Sequence, residues 1–311
     1  MKIRIGTRDS KLALWQAEMV QALLKDKGFD SELVLIKSEG DMDLQTPLYA
    51  MGVQGVFTRS LDVALLNNKI DIAVHSMKDV PTQLPAGIVQ AAIIERGVVN
   101  DLMVFKSADH KQAYDNGTAD LNTWNIATSS IRRKAQLLHY YPECSIHNIR
   151  GNVLTRLQKL EQENWDAVIF AQAGLERINA RPEASVVLDW MLPAPAQGAV
   201  MVVCLDRDKD VLAACRLLNH EPTDTCTKVE RDFLKTLMGG CSTPISAYAK
   251  IEDDKIVFKG SLCSLDGEEN IEVDTTIDIA DAEDLGILLA QEVLVSGGRE
   301  IVDSIRNTNN S

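Results

Sequence analysis

The chain has 311 residues, 45% of them apolar and 25% charged, so it is long enough for two or three domains and has an ordinary globular composition. Its net charge of −13 argues against nucleic acid or an anionic membrane as the main partner, because phosphate surfaces attract basic proteins. No apolar run is long enough to span a bilayer and no secretory signal opens the chain, so we expect a cytoplasmic protein.

Strands and helices alternate over the first two thirds of the chain, a pattern that predicts two doubly wound α/β domains. Apolar and alternating segments predict strands at 2–6, 33–36, 70–75, 88–94, 102–105, 125–127, 145–149 and 167–171. Helices are expected near 58–67 and 172–178, and after polar residues that can cap a helix at 9–10, 128–130 and 152.

The last third changes character after a proline-rich segment at 193–198. A strongly apolar strand at 199–205 can return the chain to the first domain. A smaller α+β module is then predicted from a helix that runs to Met238, three antiparallel strands with hairpin signals at Asp253-Asp254 and Asp266-Gly267, and a helix that ends at Gly297-Gly298. We therefore predict domain 1 at 1–96 with 197–217, domain 2 at 97–196 and domain 3 at 218–311.

Basic residues are concentrated between Ile126 and Arg156, which is unusual in so acidic a chain. Arg132 and Arg133 fall in the first turn of a predicted helix, and Arg150 lies at a strand end before another helix. Doubly wound sheets bind ligands at the carboxyl ends of their strands, where helix N-termini attract anions. A single such arginine is best interpreted as a surface residue, but three in two loops predict a carboxylate or phosphate site.

Asp79 lies in a loop after the strand that ends at His75, and Pro81 prevents this loop from continuing as a helix. A carboxylate among cations stays ionised and can stabilise a developing positive charge or pass a proton, although a cap or turn role is the commoner one. His75 alone favours a satisfied core or loop histidine over a ligand. No second His or Cys stands at metal spacing, so we expect no metal site.

Six cysteines are present, and most are expected to be small buried apolar groups. Cys241 differs because it follows Gly239-Gly240 in a predicted loop, where a thiol is accessible to covalent chemistry. On this pattern alone an inert cysteine remains the better interpretation.

Several long segments, in this order, resemble the porphobilinogen deaminase (hydroxymethylbilane synthase) family over nearly the whole chain. The matching segments are Gly6-Thr7-Arg8-Asp9-Ser10, Asp71-Ile72-Ala73-Val74-His75-Ser76-Met77-Lys78-Asp79-Val80-Pro81, Thr128-Ser129-Ser130-Ile131-Arg132-Arg133, Arg150-Gly151-Asn152, Ala173-Gly174-Leu175-Glu176-Arg177, Gln197-Gly198-Ala199 and Gly239-Gly240-Cys241. The resemblance implies two periplasmic-binding-protein-like domains with a cleft between them, and a third domain that carries a cofactor.

The resemblance implies a transferase of haem biosynthesis that condenses four porphobilinogen molecules head to tail, with release of ammonia, on a dipyrromethane primer. It implies Asp79 as the catalytic residue and Cys241 as the thioether anchor of the primer. It implies further cofactor-binding residues at Lys78, Thr128, Ser129, Ser130, Arg132, Arg133, Arg150 and Gly151, and substrate-binding residues at Arg8, Ser10, Arg156, Arg177 and Gln197. We expect a monomer that binds this small molecule and no nucleic acid or membrane.

The chain departs from the family pattern at a few places in and near the predicted site. Glu39 and Gln54 stand where basic residues are common, the segment 98–100 lacks a common arginine, Ala196 replaces a glycine, and Met238 replaces a glutamate. Two alternatives therefore stay open: a two-lobed anion-binding module, which leaves Cys241 and the third domain unexplained, and a pyrrole-binding homologue without turnover.

Overall fold

A computed structural model of the chain describes residues 2–37, 58–237 and 243–309, which form two compact units. The first unit contains residues 2–37, 58–98 and 197–225, and the second contains 99–196 and the described residues from 226 onward. No helix within these described ranges is both long and apolar enough to cross a membrane.

The strands are β1 (Lys2–Thr7), β2 (Asp30–Leu35), β3 (Ile72–Ser76), β4 (Ile88–Ile94), β5 (Asp101–Phe105), β6 (Asn125–Ala127), β7 (Ser145–His147), β8 (Ala167–Ala171), β9 (Ser185–Leu188), β10 (Val200–Leu205), β11 (Ile245–Glu252), β12 (Lys255–Cys263) and β13 (Asn270–Asp278). The helices are α1 (Lys11–Asp26), α2 (Arg59–Leu66), α3 (Ala108–Asp115), α4 (Ile131–Tyr140), α5 (Val153–Gln162), α6 (Gln172–Glu176), α7 (Lys209–Arg216), α8 (Glu221–Thr236), α9 (Leu285–Val293) and α10 (Arg299–Asn309).

The sheet of the first unit has the order β2-β1-β3-β10-β4. Strands β1, β2 and β3 are parallel, whereas β10 is antiparallel to both β3 and β4. All six residues of β10 are buried, as expected for an interior strand that is covered on both faces. The apolar run that predicted a strand at 199–205 therefore forms an interior strand of this sheet.

The second unit contains a sheet of the same topology, β7-β6-β8-β5-β9. Strands β6, β7 and β8 are parallel, and β5 is antiparallel to β8 and β9. In each sheet the antiparallel strand is the one that begins shortly after the chain leaves the other sheet. Parallel strands share a carboxyl edge, so the loops that follow β1 and β3, and those that follow β6, β7 and β8, leave their sheets on one side.

The second unit also holds the antiparallel sheet β11-β12-β13, which confirms the predicted α+β module. Phe233 of α8 and Phe258 of β12 are fully buried in its core, with ring centroids 5.3 Å apart. Asp253 and Asp254 have φ angles of 49° and 58°, which a two-residue hairpin loop requires, so the hairpin predicted there is confirmed. Together with the two mixed sheets and their helices, this module confirms the predicted α/β class.

The structure adds four elements that the patterns did not predict: α3, β9, α7 and α10. Helix α3 buries none of its residues, so it offers no apolar face to detect. The predicted stop at Gly297-Gly298 is confirmed, because the helical backbone breaks at Ser296 and at Gly297 (φ 108°), but a second helix, α10, begins directly after it. Ile301, Val302 and Ile305 of α10 pack on the core of the α+β module.

Candidate functional site

Asp79 and Lys78 lie at the carboxyl edge of the first sheet. They belong to a single helical turn, Met77–Asp79, that directly follows β3. Met77 is buried and fixes the turn, Lys78 is half-buried, and Asp79 is exposed. Ser76, the last residue of β3 before this turn, is held by Gln16 of α1, whose Nε2 donates to Ser76 Oγ at 2.9 Å. Asp79 is therefore a solvent-accessible carboxylate on a well-supported turn.

Lys78 contacts Gln197, another of the predicted site residues. Lys78 Nζ donates to Gln197 Oε1 at 3.1 Å, and Arg96 Nε donates to the Gln197 carbonyl at 2.8 Å. Gln197 is 1% exposed, so its amide is part of the interior and not of an open surface. The next residue, Gly198, has a φ of 86°, and a Cβ there would lie 2.7 Å from the carbonyl oxygen of Val98. A glycine is required at this position to bring Gln197 beside Lys78.

Arg8 and Ser10 follow β1, the parallel neighbour of β3, and so leave the same edge of the sheet as Asp79. Arg8 is half-buried. Ser10 caps α1, and its hydroxyl oxygen accepts from the Ala13 N–H at 3.3 Å. The hydroxyl oxygen of Ser10, which was predicted to bind substrate, therefore also caps α1.

His75 is buried, as the sequence indicated, but it is not a satisfied histidine. Its Nε2 atom is enclosed by protein and has no hydrogen-bond partner. Burial, with a smaller contribution from the positive charge of Arg8, lowers the pKa of His75 to about 3. The imidazole is therefore neutral at the edge of the sheet that carries Asp79.

A second group of predicted residues lies at the carboxyl edge of the sheet of the second unit. Thr128, Ser129 and Ser130 follow β6. Ser130 caps α4 by accepting from the Arg133 N–H at 3.5 Å. Ser129 Oγ donates to the Ile149 carbonyl and accepts from the Ile149 N–H at 2.8 Å, which ties this loop to the one after β7. Two helix N-termini, those of α4 and α5, are brought to one edge in this way.

The loop after β7 contains Arg150 and Gly151. Arg150 is 6% exposed, and Gly151 has a φ of 114° with Thr155 Cγ2 2.7 Å from where its Cβ would lie. Arg156 of α5 donates from Nε to the Gly151 carbonyl at 2.8 Å. The structure thus brings the predicted residues Arg150, Gly151 and Arg156 together around one turn.

Arg177 is half-buried and follows α6, the short helix after β8. Burial lowers the pKa of its guanidinium group. It therefore lies near the same sheet edge, at the end of the third parallel strand.

Arg132 and Arg133 are buried, whereas an arginine in a first helical turn is usually exposed. They are 6% and 5% exposed, and both bind the carboxylate of Asp101, which has no exposure at all. Arg132 Nη1 also donates to the Leu192 carbonyl at 2.6 Å, and Arg133 Nη1 donates to the Ile169 carbonyl at 2.9 Å. The Nε atom of Arg132 is buried and has no hydrogen-bond partner.

Asp101, the partner of both arginines, is a residue of this group that sequence reasoning missed. It is the first residue of β5, all of whose residues are buried. The signal that could have found it is a charged residue at the start of an otherwise apolar strand, because a buried carboxylate requires a cationic partner.

Cys241 lies outside the described residues, as do Glu39, Gln54 and Met238. The other five cysteines are buried, in agreement with the interpretation of most thiols as small apolar groups. Burial raises the pKa of Cys144 and Cys204 to about 11 and that of Cys215 and Cys263 to about 12. These four thiols are protonated at neutral pH and are poor nucleophiles.

Each of the two groups combines arginine or lysine side chains with helix N-termini or hydroxyl groups, which are the donors that carboxylates require. Among the residues described, no three His, Cys, Asp or Glu side chains are grouped so that they could hold a metal ion. The chemistry available in each group is therefore the binding of anions and, at Asp79, the stabilisation of positive charge or the transfer of a proton.

Two family models match the chain. The first, "Porphobilinogen deaminase, dipyromethane cofactor binding domain", matches residues 3–213, and the second, "Porphobilinogen deaminase, C-terminal domain", matches residues 225–295. Curated relatives are similar over nearly their full length. The porphobilinogen deaminase of Desulfitobacterium hafniense is 40% identical over 308 residues, covering 98% of this chain and 97% of the relative. That of Desulforamulus reducens is 35% identical over 309 residues, covering 98% of each.

Solved structures that match part of the chain include the periplasmic VFT2 domain of Bordetella pertussis BvgS in its double-mutant form, with a TM-score of 0.42 and 13% identity over 70% of this chain and 84% of that one. An ancestral cationic amino acid solute binding protein has a TM-score of 0.42 and 16% identity over 70% of this chain and 87% of that one.

Proposed function

The chain belongs to the porphobilinogen deaminase family, and we infer from this membership that it is a hydroxymethylbilane synthase. It is a transferase that joins four porphobilinogen molecules head to tail and releases ammonia at each addition. The observation that carries this conclusion is the match of both family models, which together span residues 3–213 and 225–295.

The substrate explains why so acidic a protein concentrates arginines in a few loops. Each porphobilinogen carries an acetate and a propionate group, so the growing chain is a dense polyanion. A local group of arginines reverses the sign of the field that the net charge of −13 creates. We propose that Arg8, Ser10, Arg156, Arg177 and Gln197 bind carboxylates of the incoming substrate and that the remaining cations bind the primer.

The residues of the second unit suit a dipyrromethane cofactor. Arg132 has a buried Nε–H group without a partner, and Arg150 is buried on the loop after β7. The N-termini of α4 and α5 supply main-chain donors. When bound, the cofactor supplies the primer to which substrate units are added. We propose that Thr128, Ser129, Ser130, Arg132, Arg133, Arg150 and Gly151, with Lys78 of the first unit, bind its carboxylates, and that Cys241 anchors it through a thioether.

We propose that Asp79 is the catalytic residue. Loss of ammonia from porphobilinogen leaves positive charge on the substrate, and an exposed carboxylate on a fixed turn can stabilise that charge and accept or return a proton. Lys78, half-buried and bonded to Gln197, stands next to Asp79 in the chain and supplies the cation that binds a carboxylate close to it.

Intact mass spectrometry of freshly purified protein tests the cofactor. We expect a mass above that of the bare chain by two pyrrole units, and the loss of this excess in Cys241→Ser. A bare-chain mass in a correctly folded wild-type protein contradicts the proposal and favours a binding module without a covalent primer.

Consumption of porphobilinogen tests Asp79. We expect Asp79→Asn to reduce turnover at least about a hundredfold, because general acid–base catalysis contributes factors of about 10² to 10⁴. Asp26→Asn, which changes an exposed carboxylate at the end of α1, is the matched control and should retain wild-type turnover. Near-normal turnover in Asp79→Asn rules out the assigned role, and a wild type that binds porphobilinogen without consuming it favours the homologue that lacks turnover.

We further propose that the enzyme acts in the cytoplasm as a monomer and without a nucleic-acid partner. The biosynthetic role of the family supports the location, and the net charge of −13 opposes binding to phosphate backbones. Light scattering coupled to gel filtration checks the monomer: a mass of twice 34.3 kDa contradicts it.

A further inference from the structure

The carboxylate of Asp101 lies between two guanidinium groups in the interior of the second unit. Its Oδ2 accepts from Arg132 Nη2 at 2.6 Å, and its Oδ1 accepts from Arg133 Nη2 at 2.7 Å and Nε at 3.1 Å. The main chain of Asp101 pairs with Ala171 of β8 on one side and with Leu188 of β9 on the other. Asp101 therefore lies at the end of an interior strand that is paired on both sides, which leaves its main chain little freedom to move.

Each arginine has one further anchor on the main chain. Arg132 Nη1 donates to the Leu192 carbonyl at 2.6 Å, and Arg133 Nη1 donates to the Ile169 carbonyl at 2.9 Å. A carboxylate and a carbonyl thus hold each guanidinium group at two points, which removes the rotamer freedom that a long arginine side chain otherwise has. The three charged groups sum to one positive charge. Without Asp101, two positively charged guanidinium groups would be buried side by side and would repel each other.

We propose that Asp101 is a positioning residue for cofactor binding: it fixes Arg132 and Arg133 in one arrangement before a polycarboxylate binds. This inference rests on the proposed function, in which both arginines bind the dipyrromethane cofactor. The physical reason is preorganisation, since groups already held in their bound geometry lose little entropy when the ligand arrives. Asp101 itself touches no ligand; it acts through the two guanidinium groups.

Asp101→Asn tests the proposal, because an amide keeps the shape and one acceptor but removes the charge. Asp166→Asn is the matched control. Asp166 precedes β8 at the amino edge of the same sheet, accepts from the Asn125 N–H at 2.7 Å and contacts His110 Nε2 at 3.2 Å, with no predicted site residue among its partners. Both proteins are purified under one protocol, and intact mass gives the fraction that carries two pyrrole units.

We expect the fraction with the two-pyrrole mass to fall at least about tenfold in Asp101→Asn, which is the lower end of the effect on affinity when a residue that orients metal-ligating side chains is lost. The fraction should stay at the wild-type level in Asp166→Asn. Urea unfolding of each variant, followed by circular dichroism, separates this effect from stability. An Asp101→Asn protein that is less stable but keeps the wild-type fraction shows a structural role only and overturns the proposal.

Asp101→Glu keeps the proposal testable if the asparagine variant does not fold. Glutamate retains the buried charge but moves it by one methylene group, so it preserves charge balance and displaces both guanidinium groups. A low two-pyrrole fraction in folded Asp101→Glu supports positioning, whereas a wild-type fraction shows that charge balance alone suffices and refutes it. Failure of the proposed function itself is distinct, because the wild type then lacks the mass excess as well.

Discussion

The buried imidazole of His75 makes the folding of the first unit sensitive to mild acid. Burial holds the pKa of His75 at about 3 in the folded protein, whereas an unfolded histidine has a pKa near 6.5. Below pH 6.5 the unfolded chain therefore binds a proton that the folded protein does not. The stability that His75 contributes is complete above pH 6.5 and is lost progressively as the pH falls towards 3.

The size of this effect follows from the two pKa values. One pH unit inside the window is worth about 1.4 kcal/mol for a single proton, so lowering the pH from 8 to 5 should cost about 2 kcal/mol at His75 alone. That is a large share of the free energy of unfolding of a typical domain, about 5–15 kcal/mol.

Replacement of His75 by leucine removes the titrating group and fills a similar volume. Urea unfolding at pH 8 and at pH 5 should show that wild type loses about 2 kcal/mol more of its free energy of unfolding than His75→Leu does over this interval. Met201→Leu is the control, because Met201 pairs with His75 across β3 and β10 and cannot titrate. It should lose as much as wild type between the two pH values.

A His75→Leu protein that loses as much stability as wild type between pH 8 and pH 5 refutes this reasoning. It would mean that the folded protein accepts the proton at His75, either because the imidazole reaches solvent or because a carboxylate approaches it.

Two further predictions concern the backbone beside Gln197, and urea unfolding checks both. Gly198→Ala should destabilise the protein by about 1–3 kcal/mol more than Gly87→Ala. Both glycines have a φ near 85°, but only at Gly198 would a Cβ meet main chain, 2.7 Å from Val98 O. Equal losses in the two variants would exclude this close approach as the cause. The free energy of unfolding of Ala196→Gly should stay within about 1 kcal/mol of that of wild type. Glycine loses one buried methyl group and gives the unfolded chain more freedom, but it relieves the strain of the left-handed φ of 59°. Ala92, in β4, has no left-handed φ to relieve, so Ala92→Gly should lower the free energy of unfolding by about 1–2 kcal/mol. An equal loss in Ala196→Gly would show that Ala196 is not strained.

Local signals in the sequence predicted most of the site-bearing framework. Ser10, Ser130 and Asn152 cap the helices that they were expected to cap, because a side-chain oxygen at that position satisfies a main-chain N–H without help from distant residues. The apolar run at 199–205 predicted a strand, and the structure buries all six residues of β10 because that strand is covered on both faces. The resemblance in the segments around Asp79, Arg132 and Cys241 identified the family that the comparisons show.

Features that depend on distant contacts were not accessible in this way. Helix α10 is held by contacts with the α+β core, so the glycine pair at 297–298 indicated where one helix stops but not that another follows it. The sequence by itself determined the caps, most of the strands and the family, because these depend on residue type and short spacing. Only the tertiary structure showed that Arg132 and Arg133 are buried on Asp101 and that His75 is enclosed without a partner for Nε2, because a strand order that brings residues 101, 132 and 192 together cannot be derived from any local pattern.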